Sequence, residues 1–226
     1  MDIAAAWCVF FKRRHWTNPL RPRTLKHAYR APSFFLGRMR EAGHTVSHVV
    51  VDEKLVDAHF SLQRIHESAE IFYLTTHGVF QNGYEALLNT NNWSPCKTGI
   101  GGGDTVVAIF DTCNLIDSAR NWRRTWSATT FGPRLRLMLG FDNLAAIGRG
   151  HALRGFAFAE NLINGDTFVD AWFKAVASTT AKPHNKAVAI GIGDNQSEAA
   201  KVLSTASLAN MPPARTGSNF FLELKP

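Results

Sequence analysis

Short apolar runs alternate along this chain with stretches whose apolar residues recur at helical spacing. Six runs read as strands: Ala4 to Phe11, Thr45 to Val51, Glu70 to Thr76, Thr105 to Phe110, Arg134 to Phe141 and Lys186 to Ile192. Between them, Ser33 to Ala42 carries Phe34, Phe35, Leu36 and Met39 between Pro32 and Gly43, a helix with start and stop signals. Lys54 to Ala69 repeats Leu55, Ala58, Leu62 and Ile65, a second helix running straight into the third strand. Asp117 to Trp126 reads as helical, and Ala152 to Ser178 as a long helix with expected interruptions at Gly155 and around Asn164-Gly165. Residues 12 to 32, with Pro19, Pro22 and Pro32, read as a loop, and Val79 to Asp104 as a polar, glycine-containing connection.

Strands that are continuously apolar are buried on both faces, which is the habit of parallel sheets covered by helices. The pattern therefore predicts an α/β three-layer sandwich around a mostly parallel six-stranded sheet. Length is compatible with one domain over 1–226, with a core from about 4 to 192, a basic loop at 12–32 and a C-terminal extension at 193–226. Ligands of such sheets bind outside the carboxyl ends of the strands.

The formal charge of +7 is local: residues 1 to 40 hold nine Lys or Arg against Asp2 alone, and the rest of the chain sums to −1. A solvated loop accounts for this better than a nucleic-acid surface, since the interleaved Phe10, Phe11, His15, Trp16 and Tyr29 form no recognisable binding module. An acidic partner at this segment is the other expectation. Cys8, Cys96 and Cys113 are an odd set without paired spacing, which suggests neither a disulfide framework nor a zinc site. The opening MDIAAAWCVFF reads as a buried strand, no run has the length of a membrane span, and a cytoplasmic, reducing location is the default expectation.

The candidate chemistry lies at two strand ends. His77-Gly78 follows the third strand and Asp111-Thr112-Cys113 the fourth, and 36 residues between His77 and Cys113 suffice for one crossover between parallel neighbours. A thiol nucleophile needs an imidazole within reach to take its proton. Gly78, lacking a side chain, lets its backbone approach a substrate closely, so the N–H groups of Gly78 and Cys113 are candidate oxyanion donors. Taken singly, a buried structural Cys or His is the more common occurrence; the paired placement favours a Cys113–His77 dyad.

Hydrophobic strand, His-Gly, spacer, hydrophobic strand, then an acid or small pair and Cys resembles the caspase-like cysteine peptidases, a group that includes caspases, metacaspases, legumains, gingipains, clostripain and separase. The matching text is IFYLTTHG at 71–78 and VVAIFDTC at 106–113. Asp-Thr-Cys resembles the Asp-x-Cys of metacaspases, whereas the caspase Gln-Ala-Cys signature is absent and Asn114-Leu115-Ile116 stands where metacaspases continue with His-Ser-Gly. The resemblance implies a cysteine endopeptidase with Cys113 and His77 catalytic, acting on proteins or peptides without cofactor or metal, though calcium activates some relatives. It also implies that Asp111 lines a pocket for Arg or Lys before the scissile bond; the competing role for Asp111 is a cap on the following turn. RLRLMLGFDNLAAIG and FAENLINGDTFVDAWFKAV further resemble an uncharacterised bacterial caspase-like group, where fold does not establish activity. A catalytically inactive scaffold or protein-interaction domain is thus the alternative, and a nucleic-acid-associated domain the third reading.

The remaining candidates need no chemistry. Trp122, Trp126 and Asp142 could rim the cleft but have no role better than packing or surface loop. His44 and His48 lie in a strand and not on one helical face, and His15, His27, His59, His66, His151 and His184 show no ligand motif. Gly101-Gly102-Gly103-Asp104 lacks the ending of a phosphate loop and precedes a strand.

Overall fold

The computed structural model describes residues 1–7, 25, 27–51, 57–80, 84–87, 92–116, 123, 126, 131–145, 150–179 and 185–226. Its centre is a seven-stranded sheet built from β1 (Asp2–Trp7), β2 (Thr45–Val51), β3 (Ile71–Thr75), β7 (Val107–Phe110), β8 (Leu137–Asn143), β9 (Asn185–Gly193) and β10 (Phe220–Leu224). The spatial order is β10-β9-β8-β7-β3-β1-β2. The pairings from β2 across to β8 are parallel, and those of β8 with β9 and β9 with β10 are antiparallel.

Side-chain alternation divides the core even where every residue of a strand is apolar. Ile71 and Tyr73 of β3, Val107 and Ile109 of β7, and Leu137, Leu139 and Phe141 of β8 face one layer. That layer holds α1 (Arg30–Glu41), α4 (His151–Ile163), α5 (Phe168–Thr179) and α6 (Gln196–Thr205). Phe72, Leu74, Ala108, Phe110 and Met138 face the other. This second layer is lighter than a helical one. It consists of α2 (Asp57–Ser61), a 3-10 turn at Ile65–Glu67, α3 (Pro95–Thr98), loop residues, and a three-stranded antiparallel sheet of β4 (His77–Phe80), β5 (Tyr84–Leu87) and β6 (Asn92–Trp93).

The structure corrects the sequence reading in four places. The expected six strands are seven, because the supposed C-terminal extension supplies α6 and β10; buried Arg136 ties this segment down through the carbonyls of Ile192, at 3.0 Å, and Pro213 and through Glu198. The polar connection after His77 holds β4–β6 and α3. The helix expected over 54–69 is only the short α2 and the 3-10 turn, with 52–56 outside the described residues. The long helix breaks at Asn164-Gly165 and not at Gly155: Gly165 has φ +94°, suited to glycine, whereas Gly155 lets α1 and α4 close together, since a Cβ there would stand 1.9 Å from the Ala31 carbonyl oxygen. The basic loop at 12–32 and the helix expected at 117–126 fall largely outside the described residues, and α1 begins earlier than expected, at Arg30. No helix among the described residues is long and apolar enough to cross a membrane.

In the lighter layer His66 is buried among Phe60, Phe72 and Trp93, and its Nε2 is 3.1 Å from the Gly99 carbonyl, which requires it to donate. Burial, helped by Arg64 and opposed by Glu67 and the Gly99 bond, lowers its pKa from 6.5 to about 4. An unfolded chain takes up that proton at higher pH than the folded one. The stability it confers is therefore complete above pH 6.5 and is lost as pH falls toward 4. Urea unfolding at pH 7 and pH 4.5 should show a loss on the order of 3 kcal/mol from this group. His66→Gln, which cannot take up the proton, should lose that part of the pH slope.

Candidate active site at two neighbouring strand ends

β3 and β7 pair with Ile71 opposite Val107 and Leu74 opposite Phe110, an offset of 36 residues. His77 and Cys113 are also 36 apart, so each lies three residues beyond the last paired position of its strand. The Asp111 N–H prolongs the contact by donating to the Leu74 carbonyl at 2.9 Å. Further on, Asn114 Nδ2 donates to the Gly78 carbonyl at 3.2 Å. Asn114 itself has φ +58°, a left-handed turn that asparagine tolerates better than most residues.

Gly78 is where the two segments touch. A Cβ there would lie 1.9 Å from the Cys113 carbonyl oxygen and 3.0 Å from Thr112 Oγ1, so no larger residue fits this backbone approach. His77 is not a loop residue, as its position after a strand suggested. After a one-residue break at Thr76 it opens β4, where it pairs with Leu87 of β5.

Cys113 is half-buried, and its sulfur is held by Ala145, just beyond β8. The Ala145 N–H donates to Sγ at 3.3 Å, and the thiol points back to the Ala145 carbonyl at 3.7 Å. Burial pushes the thiol above its ordinary pKa of 9.0; the Ala145 N–H acts the other way, and the charge of Asp111 adds to the rise. At neutral pH this sulfur is a thiol, and its use as a nucleophile requires a base at the moment of attack.

Asp111 has no exposure to water. Oδ2 accepts from the Tyr73 hydroxyl at 2.9 Å and from His151 Nε2 at 2.8 Å, while Oδ1 accepts from the Arg154 guanidinium. Burial alone would raise its pKa, but Arg154, then His151, with the bonds from His151 and Tyr73, outweigh that and bring it to about 2. His151 Nδ1 is 3.0 Å from the His27 carbonyl; both partners of the ring are acceptors, so both nitrogens are placed to donate. Arg154 also stacks on Phe141, 4.9 Å from the ring centre. The expected role of Asp111 as the acid of an open pocket meets a physical obstacle here, because its counter-cation is internal and both oxygens are engaged. Nor is it a simple turn cap.

Tyr73, His151, Arg154 and Ala145 were not singled out by the sequence. A faint signal existed in His151 and Arg154, polar residues at i,i+3 in the otherwise apolar first two turns of a helix, and in Tyr73 within an apolar strand. Trp126 is a packing residue, its Nε1 donating to the Leu115 carbonyl at 2.9 Å. Asp142 pairs with Lys225 at 2.6 Å, and Trp122 lies outside the described residues.

A family model described as a domain of unknown function (DUF6345) matches residues 15–207. No curated protein matches the chain. Among solved structures, it is similar to the Drosophila initiator caspase Dronc at 10% identity, covering 81% of this chain and 74% of that one, with a TM-score of 0.48. It is also similar to a Streptococcus pneumoniae flavodoxin at 12% identity, covering 74% of this chain and 100% of that one, with a TM-score of 0.35. Likenesses at this level carry no argument about activity.

Two outcomes follow from the contacts. Gly78→Ala should cost about 1–3 kcal/mol in urea unfolding, the range for forcing an atom into a filled space. Alkylation of Cys113 by iodoacetamide, followed by the mass of its peptide, should rise with pH to a midpoint above 9, because burial raises the thiol.

Proposed function

The chain belongs to the DUF6345 family, and from the arrangement of its strand ends we propose that it is a cysteine peptidase with Cys113 as nucleophile and His77 as base. The observation that carries the proposal is the shared offset of 36, which puts His77 and Cys113 at matching positions beyond two neighbouring parallel strands, with Gly78 packed against Cys113. In this reading His77 takes the Cys113 proton as sulfur attacks the substrate carbonyl. The N–H groups of Gly78 and Cys113 receive the oxyanion. As the C–N bond breaks, His77 returns the proton to the leaving amine, and water then cleaves the thioester to free the acid and restore the thiol.

A preference for Arg or Lys would require a substrate cation to replace Arg154 at Asp111. The burial of that pair weighs against it, so the proposal is general peptide-bond hydrolysis.

A second reading is favoured by one observation: the Cys113 sulfur is held by Ala145 and its pKa is raised, as suits a caspase-like scaffold without catalysis that binds a protein partner. The third reading, nucleic-acid association, rests on local charge alone.

Electrophilic peptides ending in Arg, Lys, Asp or Ala should label wild type at Cys113 and leave Cys113→Ala unlabelled, and His77→Ala should lower turnover by about 100-fold or more. Wild type that is folded and alkylated by iodoacetamide, yet neither labelled by nor active on any peptide, overturns the peptidase reading. Equal labelling by Arg and Asp peptides removes a basic preference.

A further inference from the structure

We infer that Arg154 is a positioning residue for the Cys113 thiol: by holding and neutralising the Asp111 carboxylate, two residues before the sulfur, it keeps that buried charge from opposing the thiolate. The inference rests on the peptidase reading for its catalytic consequence, while its geometry concerns only the ionisation of the thiol.

The segment Asp111-Thr112-Cys113 is contacted from two sides. On the strand side, the Ala145 N–H meets Cys113 Sγ at 3.3 Å. On the helix side, His151 Nε2 meets Asp111 Oδ2 at 2.8 Å and Arg154 meets Asp111 Oδ1. Asp111 is itself fixed to β3 by its N–H to the Leu74 carbonyl, at 2.9 Å, and by the Tyr73 hydroxyl. Arg154 is seated on Phe141 of β8, the strand that runs on to Ala145. Arg154 therefore touches both the Asp111 carboxylate and β8.

Charge acts in the same direction. Asp111 stands two residues from the sulfur, in a region where water cannot screen it, and a carboxylate there disfavours a thiolate. The guanidinium of Arg154 offsets that charge at its source. The titratable and charged groups around this segment, among the described residues, are Tyr73 on β3, His77 on β4, Asp111, and His151 and Arg154 on α4. The guanidinium of Arg154 keeps its charge at every pH in the working range.

The test follows iodoacetamide alkylation of Cys113 in the full chain from about pH 7 to about pH 11.5, read by peptide mass, with folding checked by circular dichroism. Arg154→Met should move the midpoint up by about one unit, so that alkylation at pH 8 slows roughly tenfold. Arg154→Lys should restore most of the wild-type profile. The double variant Asp111→Asn/Arg154→Met, which leaves no carboxylate to offset, should sit at or below the wild-type midpoint. A folded Arg154→Met with the wild-type profile overturns the inference, as does a double variant shifted as far as Arg154→Met. Should Arg154→Met not fold, the order of the other two decides: the double variant above Arg154→Lys overturns the inference, and the double variant at or below wild type supports it. Hydrolysis is not read, so a wild type that cleaves no peptide while Arg154→Met shifts the midpoint removes the peptidase reading and leaves this inference standing.

Discussion

A carboxylate with no access to water, Asp111, is the constraint around which the centre of this molecule is arranged. Burying such a charge costs several kcal/mol unless its oxygens are matched with donors and an opposite charge. Here Tyr73 comes from β3, Arg154 and His151 come from α4, and the backbone of Asp111 itself is tied to Leu74. Removal of one partner from such a set leaves a stranded charge, worth about 3–5 kcal/mol in comparable cases. Two strands and a helix are thereby held in one register immediately before Cys113.

The helical layer is shaped to reach that charge. Gly155 lets α4 rest on α1 at backbone distance, with Phe35 and Phe158 stacked between them at 5.4 Å and Tyr73 beside Phe35 at 5.2 Å. Trp172 of α5 closes the same side by donating to the Gly140 carbonyl of β8 at 3.1 Å. The polar end of Tyr73 then finds Asp111, and the apolar body of the ring fills the core. On the other side of the sheet the constraint is steric, since Gly78 brings β4 against the Cys113 carbonyl with no side chain between.

These two constraints act on the sulfur differently. Gly78 and the shared strand register bring the His77 segment and the Cys113 segment together. Burial, the Ala145 N–H and the charge of Asp111 act on how readily the sulfur ionises. A peptidase and an inert scaffold could share the first property and would differ in the second. The contacts made by α4 are therefore as informative about function as the Cys-His pair itself.

Periodicity and end signals were enough to outline six of the seven central strands and α1, and to order them as a mostly parallel sheet. The placement of His77 and Cys113 past neighbouring strand ends was also legible, because a parallel pairing with one crossover leaves few alternatives. Other features were not legible, for physical reasons. β10 is a short edge strand whose apolar run carries Glu223, and its pairing depends on β9 already being in place. The hairpin sheet of β4–β6 gains its stability by packing Ala86 and Trp93 on the core, which local pattern does not record. Asp111, two residues before a cysteine, invited a substrate pocket, whereas its partners lie 38 residues before it and 40 and 43 after it. Near-neighbour pattern was enough to say which residues could be strands and where the chemistry-bearing pairs would emerge. What the carboxylate faces and what holds the sulfur became visible in the fold alone, because both depend on side chains brought together from distant parts of the chain.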